Sequence, residues 1–171
     1  MKNLKEYNIK FSGLKLGMHS FEFQLDDKFF EHFEYSEFTR PRIKADVDLV
    51  KKENGLEVKA VVKGVVEILC DISGEPFDLP IEGDFSLLVK FGEEYNDSNE
   101  EILILPHGEY LLYVGQYLYE TTALAIPLKR VSPEVQNGEK GKEVLNKLED
   151  LKGGEDESTD PRWDKLKDLL N

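Results

Sequence analysis

The chain has 171 residues, of which 40% are hydrophobic and 33% charged, with a single cysteine. That length suits one domain with tails and supports a core without disulfides or metal, and the lone Cys70 excludes an internal disulfide framework, pointing to a reducing cytoplasm. The net charge of −13 repels the phosphates of DNA and RNA and leaves two readings, a basic protein partner or simple solubility.

Residues 1–11 carry Lys2, Lys5, Glu6 and Lys10 with no apolar run, unlike a secretory leader. Tyr7, Ile9 and Phe11 alternate with polar residues, as do Phe21, Phe23 and Leu25, so two short strands are expected. Residues 13–17 between them suggest a loop or wide hairpin. Asp26-Asp27 can cap a helix over residues 28–34, burying Phe29, Phe30 and Phe33.

A period of two runs through Ile43, Ala45, Val47 and Leu49, and Asn54-Gly55 then signals a tight hairpin. The next strand continues from Leu56 to Cys70 on one face, long enough that Gly64 is expected to mark a bulge or bend. A third alternates from Phe77 to Phe91. Three such strands with tight links make an antiparallel meander, polar on one face and apolar on the other.

Residues 92–100 read as a polar loop and residues 102–105 as a short strand, the latter far too short to span a bilayer. Residues 109–125 read as one helix, with Leu111, Val114, Leu118 and Ala125 on its stripe and Pro127 as its stop. The fold class is therefore α+β: a twisted antiparallel sheet of about five to seven strands, a meander or partly open barrel, with packed helices. Residues 1–130 form the sheet-rich domain.

Residues 131–159 shift to Gly, Glu, Lys and Asp. A helical patch fits residues 143–151, while Gly153-Gly154 and the acids after them suggest a flexible tether. In residues 160–171, Asp160 at N-cap and Pro161 at N1 start a helix. Trp163, Leu166, Leu169 and Leu170 share one face of it. This amphipathic helix either docks into a partner's groove or folds back onto its own sheet. Arg162, Lys165 and Lys167 are its basic residues.

Charge is unevenly spread. Residues 93–109 hold six acids and no Lys or Arg, and residues 134–160 nine acids and four lysines. No catalytic constellation is apparent. His19, His32 and His107 are remote from one another in sequence and from Cys70, no metal-ligand spacing is present, and no glycine loop precedes a helix. Cys70 reads as a buried structural thiol. No cofactor is expected. Two rival readings remain: a small-ligand pocket lined by Phe85, Phe91, Tyr113 and Tyr117, and an enzyme using scattered carboxylates.

The turn Cys70-Asp71-Ile72-Ser73-Gly74-Glu75-Pro76-Phe77, followed by Pro80-Ile81, resembles the Cys-x-x-Cys turn of the YceD-like family. Thr122-Ala123-Leu124-Ala125-Ile126-Pro127-Leu128 is similar to that family's Leu-x-Leu-x-Pro stretch. Asp160-Pro161-Arg162-Trp163-Asp164-Lys165-Leu166 is similar to its closing Asp-Pro-Arg-x-x-x-Leu. The three come in the family's order over residues 70–170. The resemblance implies a non-enzymatic factor required for large-subunit ribosomal RNA to accumulate. Its partner is then a ribosomal or RNA-processing protein, with the RNA reached either directly or through that protein and neither membrane nor DNA involved. Asp160, Pro161, Arg162, Trp163, Leu166 and Leu170 would supply the partner contact, while Cys70, Ser73, Gly74, Pro76 and Phe77 form a structural turn. Ser73 stands where the family has a second cysteine, and one thiolate does not hold zinc.

Overall fold

Alternating apolar residues build most of the observed elements in a computed structural model that describes residues 4–33, 37–99, 101–138 and 146–147. In chain order these are β1 (Asn8–Lys10), β2 (Gly17–Leu25), α1 (Asp27–Phe30), β3 (Thr39–Lys52), β4 (Gly55–Leu69), β5 (Pro76–Gly92), β6 (Asn96–Asn99), β7 (Ile102–Pro106), β8 (Leu111–Tyr113), α2 (Gly115–Leu124) and α3 (Pro133–Asn137). The chain divides into two units, Met1–Arg130 and Val131–Asn171. In the second, α3 begins with Ser132 as N-cap, its side chain accepting from the Val135 amide, and Pro133 follows in the first turn. Residues 160–171, with the expected docking helix, lie outside the described residues, as does most of the expected tether. Of the patch at 143–151, Asn146 and Lys147 are described, and both are helical.

The first unit carries a six-stranded sheet in the order β2-β3-β4-β5-β7-β6, and β1 pairs β8 in a separate two-stranded ribbon. One face is apolar: Ile43, Ala45, Val47 and Leu49 of β3, Val58, Ala60, Val62 and Val66 of β4, and Leu87 and Val89 of β5 are all buried. The β1–β8 ribbon, α1 and α2 contribute buried residues to the same core, including Ile9, Phe29, Leu112 and Leu118. Aromatic rings knit the layers, with Tyr7 4.6 Å from Phe29 and 5.7 Å from Phe23, and Phe33 stacked on Tyr119 at 4.0 Å. The opposite face is solvated and laced with ion pairs, Glu22–Lys44, Arg42–Asp78 and Lys63–Glu82, each at 2.8 Å. An antiparallel meander with one wet face has this pattern.

Several expectations are corrected. The expected helix over residues 28–34 is one turn, Asp27–Phe30, capped by Asp26 Oδ1 accepting from the Phe29 amide at 3.2 Å. Of the loop or wide hairpin expected at residues 13–17, the loop is found, and it ends where β2 begins at Gly17, because β1 pairs β8 instead of β2. The β3–β4 hairpin exists, but its two-residue loop is Glu53-Asn54, and Gly55 already pairs with Lys52. Gly55 is needed for close packing, since a Cβ there would strike the Val89 carbonyl oxygen.

Gly64 marks no bulge either. Its strand pairs without a break, opposite Ile43 and Ile81, and the register shift falls on β3 between Thr39 and Arg42. There Arg40 adopts φ 48°, ahead of Pro41. A Cβ at Gly64 would collide with the Arg42 carbonyl oxygen and lie 2.6 Å from Ile43 Cα, so glycine admits the neighbouring backbone.

The sheet is mixed and not wholly antiparallel. β7 runs parallel to β5, from Leu88 opposite Ile102 to Gly92 opposite Pro106. The residues read as a polar loop contain β6, which pairs antiparallel with β7. Three linking residues, 93–95, can reach about 10 Å, enough to leave one strand-width for β7 to fill afterwards. The expected helix over residues 109–125 is two elements. Leu111–Tyr113 forms β8 against β1, and the helix begins only at Gly115.

Candidate functional site

The family-like turn closes the β4–β5 hairpin. Gly74 donates to the Cys70 carbonyl at 2.8 Å and Cys70 to that of Glu75 at 2.9 Å, while Gly74 takes φ 69°, a conformation that favours glycine. Ser73 Oγ accepts from the Glu75 amide at 3.3 Å, so the hydroxyl serves its own turn. Pro76 pairs with Leu69 and Phe77 with Ile68, extending the ladder. Cys70 is buried at the strand end.

Arg130 clamps this turn from the other end of the unit. Its amide donates to Asp71 Oδ2 at 2.7 Å, and its carbonyl accepts from the Asp71 amide at 2.7 Å. The guanidinium reaches Glu37 at 2.9 Å, and its Nε lies 3.3 Å from Asp71 Oδ1, within ion-pair reach but off hydrogen-bond geometry. The geometry is that of a brace, with the polar groups committed to one another.

The remaining concavity is chemically different. A groove of about 960 Å³, partly open to solvent, is lined by residues of β6, β7, β8 and α2 and of the segments beside them. Its lining includes Leu103 and Leu105 of β7, Tyr95, Asp97 and Asn99 at and before β6, Tyr113 of β8, Gln116, Tyr117 and Glu120 of α2, and Glu109. No Lys or Arg lines it among the described residues. Tyr95 donates to Asp97 Oδ2 at 3.1 Å, and Gln116 Nε2 donates to Glu120 Oε1 at 2.6 Å.

Burial pushes the Tyr117 phenol up to about 12, and the nearby Tyr95, Asp97 and Glu120 add to the shift. Burial also raises Tyr113, against a backbone hydrogen bond at Leu4, and raises Tyr95, where the bond to Asp97 adds to it. All three phenols stay neutral and polar at ordinary pH.

Of the four aromatic residues expected to line a pocket, Tyr113 and Tyr117 do so. Phe85 instead stacks behind Tyr117 at 5.6 Å, and Phe91 packs on Phe11 at 5.7 Å. Tyr95, Asp97, Glu109 and Glu120 were not expected as neighbours. A tyrosine in the otherwise polar, base-free run 92–100 is the signal for the first two. Among the described residues no group of three or more His, Cys, Asp or Glu could hold a metal, and no helix is long and apolar enough to cross a membrane. His19, on β2, bonds the Lys15 carbonyl at 2.8 Å, and His32, which also lines the groove, stands edge-on to Phe33 at 5.6 Å, so the two imidazoles lie in separate settings.

A sequence model of the family described as large ribosomal RNA subunit accumulation protein YceD matches residues 58–170. The chain belongs to this YceD family. The match takes in β4 from Val58 onward, β5 to β8, α2, the Asp71–Arg130 brace and most of the groove, and the family's description ties its members to accumulation of large-subunit ribosomal RNA. No curated protein and no solved structure matches the chain.

Proposed function

We propose that this YceD-family protein sustains large-subunit ribosomal RNA by adhesion, holding a basic ribosomal or RNA-processing protein, and that it makes or breaks no bond. Membership of the family is the observation that carries the reading. Charge supports the choice of partner. A chain at −13 attracts cationic proteins and repels phosphate, so RNA is protected through the protein it holds. The braced turn of Cys70, Ser73, Gly74, Pro76 and Phe77 keeps the two longest strands in register. Contact with the partner is extended by residues 160–171, where Trp163, Leu166 and Leu170 form an apolar anchor beside Arg162. The work is done in the cytoplasm, where ribosomes are assembled.

Deletion of the protein from its host, followed by measurement of large- against small-subunit ribosomal RNA, tests this. The ratio falls without the protein, returns with the full chain, and returns only in part with a chain lacking residues 160–171. A ratio indifferent to the protein overturns the reading, and full rescue by the shortened chain removes the anchor from it.

A further inference from the structure

Two groups of acids in the first unit stand in contrast. On the solvated sheet face Glu22, Asp46, Glu57, Glu67, Asp78 and Glu82 each face a Lys or Arg. In the groove Asp97 and Glu120 are met by a phenol and an amide, and Glu109 and the imidazole of His32 join a lining that contains no Lys or Arg among the described residues. Carboxylates brought together without a counter-charge raise the local negative potential, and the walls of a cleft concentrate it. Tyr95, Tyr113 and Tyr117 add aromatic rings, which attract cations as well as apolar stems.

From this juxtaposition we infer that the groove between β6–β7 and α2 takes a Lys/Arg-bearing segment of a partner protein, its cationic heads meeting Asp97, Glu109 and Glu120 and its side-chain stems lying against the tyrosines. The inference rests on the adhesion reading and assigns it a place on the fold. A volume of about 960 Å³ exceeds what one side chain fills, so a stretch of chain enters. That stretch binds through side chains more than by adding a strand. At the sheet edge the Ser98 amide is held by Asn96 Oδ1 and the Glu101 amide by Asn99 Oδ1, each at 2.9 Å, leaving fewer donors on offer.

The test uses the full chain and a fluorescein-labelled peptide of Arg, Lys and Gly, with anisotropy as readout. Replacing Asp97→Asn, Glu109→Gln and Glu120→Gln together is expected to weaken the peptide about tenfold, and Tyr117→Leu about threefold. A control with the same change of net charge on the solvated face, Glu22→Gln, Glu82→Gln and Asp84→Asn, stays within about twofold of the parent. Equal weakening by both triple variants overturns the groove while leaving adhesion by overall charge intact. Failure of the parent chain to bind the peptide overturns the groove outright, and competition by spermidine at the peptide's own concentration replaces the peptide segment by a small polyamine. Amide shifts on peptide addition, centred on Tyr95, Asp97 and Tyr117, give an independent reading should a variant lose its fold. Shifts confined elsewhere contradict the inference. The ribosomal RNA ratio tests the wider reading separately.

Discussion

Gly64 is the residue whose role is most sharply defined by geometry. It faces the buried side of the sheet, yet a methyl group there would meet the backbone of Arg42 and Ile43 and no yielding side chain. Gly64→Ala should therefore cost about 2 kcal/mol or more, read as a lower urea midpoint. Two phenols carry a second expectation. Burial is the leading reason that Tyr7 and Tyr117 are each pushed up to about 12, from 10.0. An acid whose pKa is higher folded than unfolded stabilises the fold fully below 10, and that contribution disappears as pH rises toward 12. The melting temperature should thus gain no tyrosine-dependent slope below pH 10 and should fall between 10 and 12. Phenolate absorbance should show a late step near 12 that shrinks in Tyr117→Phe and in Tyr7→Phe. A titration finished by pH 11 in the folded protein would contradict both assignments.

The elements show why some of the fold is readable in sequence and some is not. From Ile43 to Phe91 side-chain period and burial coincide, since each strand has one dry face and one wet face, and the meander follows directly. Leu111, Val114 and Leu118 also fit a helical stripe, but Leu111–Tyr113 pairs with β1, a partner about a hundred residues away that local spacing does not encode. The parallel placement of β7 beside β5 is hidden for the same reason. So is the groove: Tyr113 and Tyr117 are visible as aromatic residues near a helix start, whereas Tyr95, Asp97 and Asn99 join them from a polar run that contains β6. Packing of α2 is the structural hinge of that arrangement. Leu118 is fully buried, and Thr121 Cγ2 comes within 3.1 Å of the Cβ position at Gly83 on β5. Leu118→Ala should cost about 2–4 kcal/mol in chemical denaturation and weaken cationic-peptide binding beyond the loss of stability. Loss of stability alone, with groove affinity kept, would separate the helix from the site.

At the scale of the whole molecule, the placement of charge matters more than its sum. Residues 93–109 carry −6 and residues 134–160 carry −5 of the total −13, leaving −2 for the rest of the chain. Two strongly negative stretches on a nearly balanced body favour fast, salt-sensitive capture of a basic protein over contact with nucleic acid. Action through a protein partner can be tested by capture of the native protein from its host at graded salt, with and without ribonuclease. A basic ribosomal or RNA-processing protein should stay bound through ribonuclease treatment and leave as salt rises; ribosomal RNA retained alone, and lost with the nuclease, would mean that the protein works by holding RNA instead.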